Sequence, residues 1–426
     1  MEEGQETTDQ GGIISAEPTA AVSILGAERQ EQLDKILERD DAAPELLDLI
    51  IDYAIEQGAS DVLFEPQPEE GLIRVRIDGI LQVATRVPSD LFLNSVSRLK
   101  VMAGLDITQH NSSQEGKIVF ERPETQIDAR TAVASTTSGE MVVLRLHDRR
   151  STQFTLQDIG LKGKEEKDYR NLLASHAGLI LICGPTGSGK TSTLYSSLHT
   201  LNSEHKNIVS VEDPIEYIIP GLNQMQVDVE HGVTFAEGLK IILRLNPDVV
   251  FVGEIRDAET AHIAVEASLT GHLVLSTIHA NSAVSSISRL VDLGIDKFFI
   301  NNALIGSISQ RLVRRGCTVC GRMMEPSPEE GEMFFRITGR RLEKQMIGPG
   351  CEACAMTGYK GRMPIIEVMT VDEQVRALVT RGATERQITQ QLVQNGYHTL
   401  LQDGMNKVEQ GLTTVREVIA NAFITN

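Results

Sequence analysis

The chemistry that this chain can perform is first indicated by residues 184–191, Gly-Pro-Thr-Gly-Ser-Gly-Lys-Thr. They satisfy the spacing G-x-x-x-x-G-K-[ST], in which glycines let several backbone N–H groups turn toward a phosphate. The Lys190 ammonium can reach the β- and γ-phosphates of a nucleotide, and the Thr191 hydroxyl can ligate Mg²⁺. The predicted nucleotide-binding residues are Gly184, Pro185, Thr186, Gly187, Ser188, Gly189, Lys190, Thr191 and Ser192.

The elements around this loop must place the phosphate at the start of a helix. An apolar run, Leu179–Ile182, predicts a buried strand directly before the loop, and a helical pattern begins directly after it. A helix N-terminus offers unpaired N–H groups and a dipole that favours negative charge. The alternative is a glycine-rich turn between a strand and a helix that binds no ligand. The flanking strand and helix favour phosphate binding.

Acidic side chains follow two further predicted strands, and ligands gather at the carboxyl edge of open parallel sheets. Glu212 ends the strand Ile208–Glu212 and suits Mg²⁺ or water positioning, unless it belongs to a solvated acidic loop. Glu254 follows the strand Val249–Gly253 and is the candidate for the base that activates the attacking water. The alternative for Glu254 is a surface carboxylate at the end of an ordinary core strand.

Two histidines flank the predicted strand Leu273–Thr277. His279 follows this strand, so we expect it at the edge where Glu254 lies, in a position to sense the γ-phosphate or a neighbouring subunit. Taken alone, His279 fits a structural hydrogen bond as well as a catalytic role. His272 begins the strand at its opposite end and is the weaker candidate.

Four cysteines form two tight pairs, Cys317 with Cys320 and Cys351 with Cys354, separated by thirty residues. Each pair can place two thiolates on one tetrahedral Zn²⁺, and four thiolates leave no position for water, so the predicted zinc is structural. Two disulfides are the alternative. The fifth cysteine, Cys183, is interpreted as a small buried residue.

Composition excludes several classes of protein. The net charge of −19 argues against a general nucleic-acid binder, which would carry a basic surface. No apolar run approaches the roughly 18 residues that a membrane span needs. The polar, acidic start of the chain does not resemble a secretory signal. We therefore expect a cytoplasmic protein whose membrane contact is peripheral.

Periodicity and composition divide the chain into six parts. Short alternating strands with an amphipathic helix predict an α+β domain, and the later alternation of strands with helices predicts a parallel α/β core. The predicted parts are a mobile N-terminal arm with one marginal helix (1–44), the α+β domain (45–146), a linker (147–158), the α/β core (159–315), a tetracysteine zinc-binding subdomain (316–362) and a C-terminal helical region (363–426).

Four motifs in this order resemble the secretion ATPases of type II secretion and type IV pilus systems, the GspE/PilB group. They are Gly-Pro-Thr-Gly-Ser-Gly-Lys-Thr, Val-Glu-Asp-Pro-Ile-Glu, Asn-Pro-Asp followed by Val-Gly-Glu-Ile-Arg-Asp, and Ser-Thr-Ile-His-Ala-Asn. The resemblance covers about residues 45–424. It implies a RecA-like P-loop core, an N-terminal α+β (PAS-like) domain, a tetracysteine zinc insert and C-terminal helices.

The resemblance also implies a function. It predicts a homohexameric ATPase that uses ATP, Mg²⁺ and structural Zn²⁺ and moves its domains to assemble a pilus or pseudopilus. Implied partners are an inner-membrane platform protein and a cytoplasmic adaptor, which would hold the motor at the inner membrane. Arg130 and Arg145 match the family's arginines that meet the phosphates, and such arginines offset transition-state charge. His279 lies within the fourth of these motifs.

Two departures from the family stand out. Leu63 occupies a position where histidine is frequent, and residues 1–44 are too few for the separate first domain that docks the membrane partner. Three other functions compete with pilus assembly: a RecA-like nucleic-acid motor of the helicase class, a retraction-type pilus motor, and a scaffold with a degenerate nucleotide site. Intact Lys190, Thr191 and Glu254 argue against the scaffold.

Overall fold

The computed structural model describes residues 24–39, 41–122, 125–148 and 155–422. They fall into two compact units. The first contains the described residues up to Glu121 together with Ile127–His147, and the second contains Arg122–Gln126 and the described residues from Asp148 onward. None of the helices in the described ranges is long and apolar enough to cross a membrane.

The first unit is an α+β fold built on one six-stranded sheet with the strand order β3-β2-β1-β6-β5-β4. Burial alternates along β2, so one face of the sheet packs on the core. Asp78 and Gly79 form the tight turn before β3, both with positive φ. The elements are α1 (Ala27–Leu37), α2 (Ala43–Glu56), β1 (Asp61–Pro66), β2 (Glu70–Ile77), β3 (Ile80–Pro88), α3 (Ser89–Met102), β4 (Gln114–Arg122), β5 (Thr125–Thr136) and β6 (Gly139–Asp148).

Helix α1 packs on this unit, which differs from the expectation of a mobile arm. Leu25 and Leu33 are buried in the same core as the apolar face of α2. The Tyr53 hydroxyl on α2 donates to the carbonyl of Ile24 at 2.9 Å. Burying these apolar side chains stabilises a helix that would be marginal alone. The rest of the predicted arm, residues 1–23, lies outside the described residues.

The second unit contains a seven-stranded sheet with the order β15-β12-β7-β11-β10-β8-β9. Every residue of β7, β8 and β11 is buried, because helices cover both faces of a parallel sheet. The elements up to residue 316 are α4 (Gly163–Leu173), β7 (Gly178–Cys183), α5 (Lys190–Leu201), β8 (Ile208–Glu212), β9 (Asn223–Gln226), α6 (Phe235–Ile242), β10 (Val249–Ile255), α7 (Ala258–Leu269), β11 (Leu273–Ile278), α8 (Ser285–Asp292), α9 (Lys297–Ala303) and β12 (Leu304–Gly316).

The remaining chain forms a cysteine-bearing insert, a last sheet strand and a group of helices. Its elements are β13 (Arg322–Met324), α10 (Pro328–Thr338), β14 (Gln345–Ile347), β15 (Tyr359–Thr370), α11 (Glu373–Thr380), α12 (Glu385–Gln394), α13 (Leu400–Glu409) and α14 (Val415–Ala422). Phe334 and Leu342 of the insert share a core with Leu400 and Met405 of the C-terminal helices.

Strands β12 and β15 are not predicted by apolar runs. β12 pairs parallel with β7, and β15 pairs antiparallel with β12, from Gly306↔Thr370 to Gly316↔Tyr359. The core sheet is therefore mixed, whereas alternation alone predicts a parallel one. The predicted boundary between residues 362 and 363 falls inside β15.

The predicted linker is only partly described, since residues 149–154 lie outside the described ranges. Its second half belongs to the core of the second unit. Leu156 and Ile159 are buried with Leu161 against the sheet. The Asp158 carboxylate accepts from the backbone N–H of Thr155 at 2.8 Å, which closes a tight turn there.

Candidate phosphate-binding and hydrolytic site

The loop Gly184–Gly189 joins β7 to the first turn of α5, so the predicted strand, loop and helix are confirmed. Gly184, Gly187 and Gly189 have φ values of 150°, 78° and 90°, which side chains rarely adopt. A Cβ on Gly187 would have no heavy atom within 4 Å, so the loop apex borders open space. The loop backbone therefore needs its glycines and leaves room for a ligand.

The hydroxyl of Ser188 in the loop is free to bond a ligand. Ser188 is 3% exposed, and its Oγ has no hydrogen-bond partner among the described residues. An unpaired buried hydroxyl is costly, and a phosphate oxygen would satisfy it. Thr191, in the first turn of α5, is exposed, so its hydroxyl is accessible to a cation. These residues fit a nucleotide phosphate accompanied by Mg²⁺.

Lys190 lies against the loop. Its Nζ donates to the carbonyl oxygens of Gly184 at 2.7 Å and Pro185 at 3.0 Å. Burial lowers the pKa of Lys190, and the negative charge of Glu254 opposes that shift. The ammonium is therefore held where a phosphate bound by the loop would meet it.

Glu254 and His279 come together at the ends of neighbouring strands, as their positions in the sequence predict. The Glu254 carboxylate is 14% exposed and forms an ion pair with Arg256. His279 Nε2 lies 3.6 Å from Glu254 Oε2, and its side chain is 52% exposed. The hydrogen bond to Glu254 raises the pKa of Arg256. A carboxylate positioned in this way can accept a proton from water.

A local irregularity accompanies Glu254. The pairing of β10 with β11 shifts register between Val252 and Ile255. The Thr277 hydroxyl donates to the carbonyl of Gly253 at 2.9 Å, which ties the irregular segment to β11. Such a bulge changes the direction of a side chain at the end of a strand.

His272 lies at the opposite end of β11. Its Nδ1 is 3.0 Å from the carbonyl of Ala267 and 3.4 Å from the Thr270 hydroxyl, so it contacts the end of α7. The predicted location of His272, at the end of β11 away from Glu254, is confirmed.

Glu212 is placed differently from a solvated catalytic acid. It is 3% exposed, and its carboxylate accepts from Tyr195 Oη at 2.6 Å, Ser210 Oγ at 2.6 Å and Gln224 Nε2 at 3.0 Å. Because Tyr195 lies on α5, this carboxylate connects the helix after the phosphate loop to β8. A role for Glu212 in Mg²⁺ or water positioning stays a prediction.

Arg130 and Arg145 lie in the first unit, on the adjacent strands β5 and β6. Arg145 Nε donates to Asp61 Oδ1 at 3.3 Å, and its side chain is 64% exposed. Asp61 also pairs with Arg76 at 3.3 Å. The part that Arg130 and Arg145 play toward a nucleotide stays a prediction.

The four cysteines of the insert form one cluster. All are free, and their Sγ atoms lie within 4.8 Å of one another. The Sγ separations are 3.9 Å for Cys317–Cys351, 3.9 Å for Cys320–Cys354 and 3.7 Å for Cys351–Cys354. A tetrahedral Zn²⁺ with bonds of about 2.3 Å would place sulfurs about 3.8 Å apart. The donor set and spacing fit a zinc ion, and the cysteines do not form the alternative disulfides.

Two residues at this site were not predicted from the sequence. Gln310 of β12 contacts the phosphate loop, and Tyr195 of α5 holds Glu212. Gln310 could have been noticed only as one of several polar residues in a strand segment that turns out to be buried. These residues are Ser307, Ser309, Gln310 and Arg311.

Proteins of secretion and pilus systems are similar to this chain over most of its length. Type II secretion system ATPase E of Vibrio cholerae serotype O1 is 41% identical over 92% of this chain and 78% of its own length. The type IV pilus assembly ATPase PilB of Thermus thermophilus is 40% identical over 92% of this chain and 44% of its own length.

A solved structure of a pilus motor is also similar to this chain. The crystal structure of the pilus retraction motor PilT with bound ADP superposes with a TM-score of 0.59 at 26% identity, covering 88% of this chain and 96% of that one. The predicted α/β fold class is confirmed. Residues 37–420 match the family described as "Type II/IV secretion system protein". The chain therefore belongs to the type II/IV secretion system protein family.

Proposed function

We propose that this protein is a hexameric motor that hydrolyses ATP to drive assembly of a pilus or pseudopilus. The observation that carries the proposal is the position of Glu254, next to Arg256 and His279, at the same sheet edge as a phosphate loop with an unpaired buried hydroxyl. Membership of a family that includes secretion and pilus assembly ATPases supports it.

Each residue has a defined part in the proposed reaction. Backbone N–H groups of residues 184–192 and the Lys190 ammonium bind the β- and γ-phosphates. Thr191 holds Mg²⁺, which neutralises charge on the phosphate oxygens when bound. Glu254 accepts the proton of the attacking water while Arg256 fixes the position of its carboxylate. We further propose that Arg130 and Arg145 stabilise the charge of the transferred phosphoryl group.

The reaction is tested by phosphate release from the purified protein with Mg²⁺ and ATP. We expect Lys190→Ala to lose nucleotide binding, and Glu254→Gln to bind ATP but turn over at least about 100-fold more slowly. Glu259→Gln is the matched control, because Glu259 lies on α7 with a 62% exposed side chain that pairs with Lys240. Full turnover by Glu254→Gln would remove Glu254 from the reaction, and no turnover by the wild-type protein would refute the ATPase.

We also propose a structural Zn²⁺ held by Cys317, Cys320, Cys351 and Cys354. The N–H groups of Cys351 and Gly358 donate to Cys354 Sγ at 3.2 and 3.3 Å, as expected for a site that favours thiolate. Metal analysis should find about one zinc per chain, and Cys317→Ser should lose it. Unchanged zinc content in Cys317→Ser would refute the assignment.

The machine served is proposed from the relatives. The partners would be an inner-membrane platform protein and a cytoplasmic adaptor, with the motor in the cytoplasm, peripheral at the inner membrane. Affinity capture from membranes should recover the platform protein, and the wild-type gene should restore pilus or secretion output where Lys190→Ala does not. Mass measurement should give six copies per particle. Nucleic-acid-stimulated turnover with no platform protein recovered would instead favour the helicase class.

A further inference from the structure

We propose that Gln310 positions the phosphate loop and thereby sets its affinity for nucleotide. The inference rests on the proposed ATPase function and adds a residue that lies outside the four motifs. Gln310 is a positioning residue here, because its side chain contacts Gly189 of the loop and Thr193 of α5.

The sheet places Gln310 beside the start of the loop. β12 runs parallel to β7, with Ser309 opposite Cys183. Gln310 follows Ser309, and Gly184 follows Cys183 directly after β7, so Gln310 lies beside the start of the loop. Its carbonyl oxygen is 2.8 Å from the position of a Cβ on Gly184. Any side chain at residue 184 would collide with this carbonyl.

The side chain of Gln310 reaches the other end of the loop. Its Nε2 would collide with a Cβ on Gly189. Its Oε1 accepts a hydrogen bond from Thr193 Oγ1. Thr193 and Gln310 are 0% and 2% exposed, so water cannot replace this bond easily. One amide therefore contacts both the last loop residue and the first turn of α5.

This contact determines where Lys190 lies. Lys190 follows Gly189 directly and precedes Thr193 by less than one helical turn. Replacing the amide by an apolar group would leave the buried Thr193 hydroxyl without its acceptor and would remove the polar contact beside Gly189. The loop could then shift relative to α5, and its N–H groups and the Lys190 ammonium would be aligned less well with the phosphate, which weakens charge-assisted hydrogen bonds. Glu254 keeps its contacts with Arg256 and His279, so the affinity for nucleotide should fall more than the rate at which bound ATP is hydrolysed.

The test compares Gln310→Leu with a matched control, Gln345→Leu. Gln345 is also a buried glutamine, 0% exposed, but its bonds are to Val415 and Glu330 in the insert and C-terminal helices. We expect Gln310→Leu to weaken binding of a fluorescent ADP analogue about tenfold, a change of about 1.4 kcal/mol. KM for ATP should rise in parallel, while kcat stays within about threefold. Gln345→Leu should lower the melting temperature and leave both nucleotide constants unchanged.

A second variant tests the contact itself. Thr193→Val removes the donor with little change in shape and should also weaken nucleotide binding. Gln310 and Thr193 share one hydrogen bond, so either substitution removes it. The nucleotide affinity of the double variant should therefore be at most about twofold lower than that of the single variant that binds more weakly. Unchanged nucleotide affinity in both Gln310→Leu and Thr193→Val, or fully additive losses, would overturn the proposal. Loss of the wild-type ATPase assignment would not affect these binding constants, so the two failures are distinguishable.

Discussion

Replacing Glu367 by glutamine should open the contact between the loop after β11 and the C-terminal helices. Glu367 lies on β15 and is 3% exposed. Its Oε1 accepts from the backbone N–H of Ala283 at 2.6 Å, and its Oε2 accepts from the N–H of Leu400 at 3.0 Å. Glutamine retains one oxygen for one of these donors, and its NH₂ group must face the other.

The size of the effect follows from these two bonds. Losing one hydrogen bond to a charged acceptor costs about 1.5–3 kcal/mol, and leaving a buried N–H unpaired adds about 1–3 kcal/mol. Removing the buried charge of Glu367 returns part of this cost through desolvation, although the buried Arg311 guanidinium loses a neighbouring negative charge. We therefore expect the local opening free energy to fall by about 2–4 kcal/mol, or on the order of 30- to 900-fold faster exchange of the affected amides.

Hydrogen exchange followed by mass spectrometry measures this directly, in peptides that contain Ala283 and Leu400. Glu417→Gln is the matched control, because Glu417 is 5% exposed and accepts from the backbone N–H of Arg314 at 3.0 Å. It should leave the Ala283 peptide unchanged. Less than about threefold faster exchange of both peptides in Glu367→Gln would refute the reasoning, because either lost bond alone predicts more.

The pH dependence of the same variant has a definite sign. Burial raises the pKa of Glu367. Between the ordinary and the raised pKa, the folded state binds more protons at this group than the unfolded state, so its contribution to stability falls as pH rises. Glu367→Gln should remove that component from the pH profile of unfolding.

Three other perturbations have expected outcomes. Chelation of zinc should speed amide exchange in residues 316–362 and leave β7 and β11 protected, because the cysteines lie in the insert; equal exchange with and without chelator would contradict this. Gly189→Ala should lower the free energy of unfolding by about 1 kcal/mol more than Gly187→Ala, since both residues have positive φ but only Gly189 faces Gln310. Thermal denaturation without nucleotide compares the two variants. Equal losses of stability would contradict the close contact between residue 189 and Gln310. Burial lowers the pKa of Lys190, so nucleotide binding should weaken with rising pH below the range in which an ordinary lysine titrates. Titrations of Lys190→Arg, which stays charged, should not show that loss.

The phosphate loop could be predicted because a local pattern determines it, and Glu254 and His279 could be placed at one sheet edge because each follows a core strand. An apolar run predicts a buried strand, and the carboxyl ends of parallel strands meet at one sheet edge. The four cysteines were predictable for a similar reason, since each tight pair brings two thiolates together locally.

What the sequence could not predict depends on distant partners. β12 carries buried polar side chains that look like a surface segment until Thr193 and Glu367 are placed beside them. The sequence predicts an accessible carboxylate at Glu212, because the hydroxyl of Tyr195 that donates a hydrogen bond to it is distant in the chain. Helix α1 looks marginal because its stabilisation comes from burying Leu33 against another helix. Each case requires tertiary contacts between residues far apart in the chain.

The pairing of Gly316 with Tyr359 has a consequence for how this chain can vary. β12 and β15 are antiparallel neighbours there, so the whole cysteine insert is the tip of a hairpin. A hairpin tip can lengthen, shorten or be exchanged for a tight turn with little entropic cost and no change in sheet register. The contact of Phe334 and Leu342 with Leu400 limits that freedom. The insert is therefore a replaceable module whose exchange must be matched by new residues on the C-terminal helices.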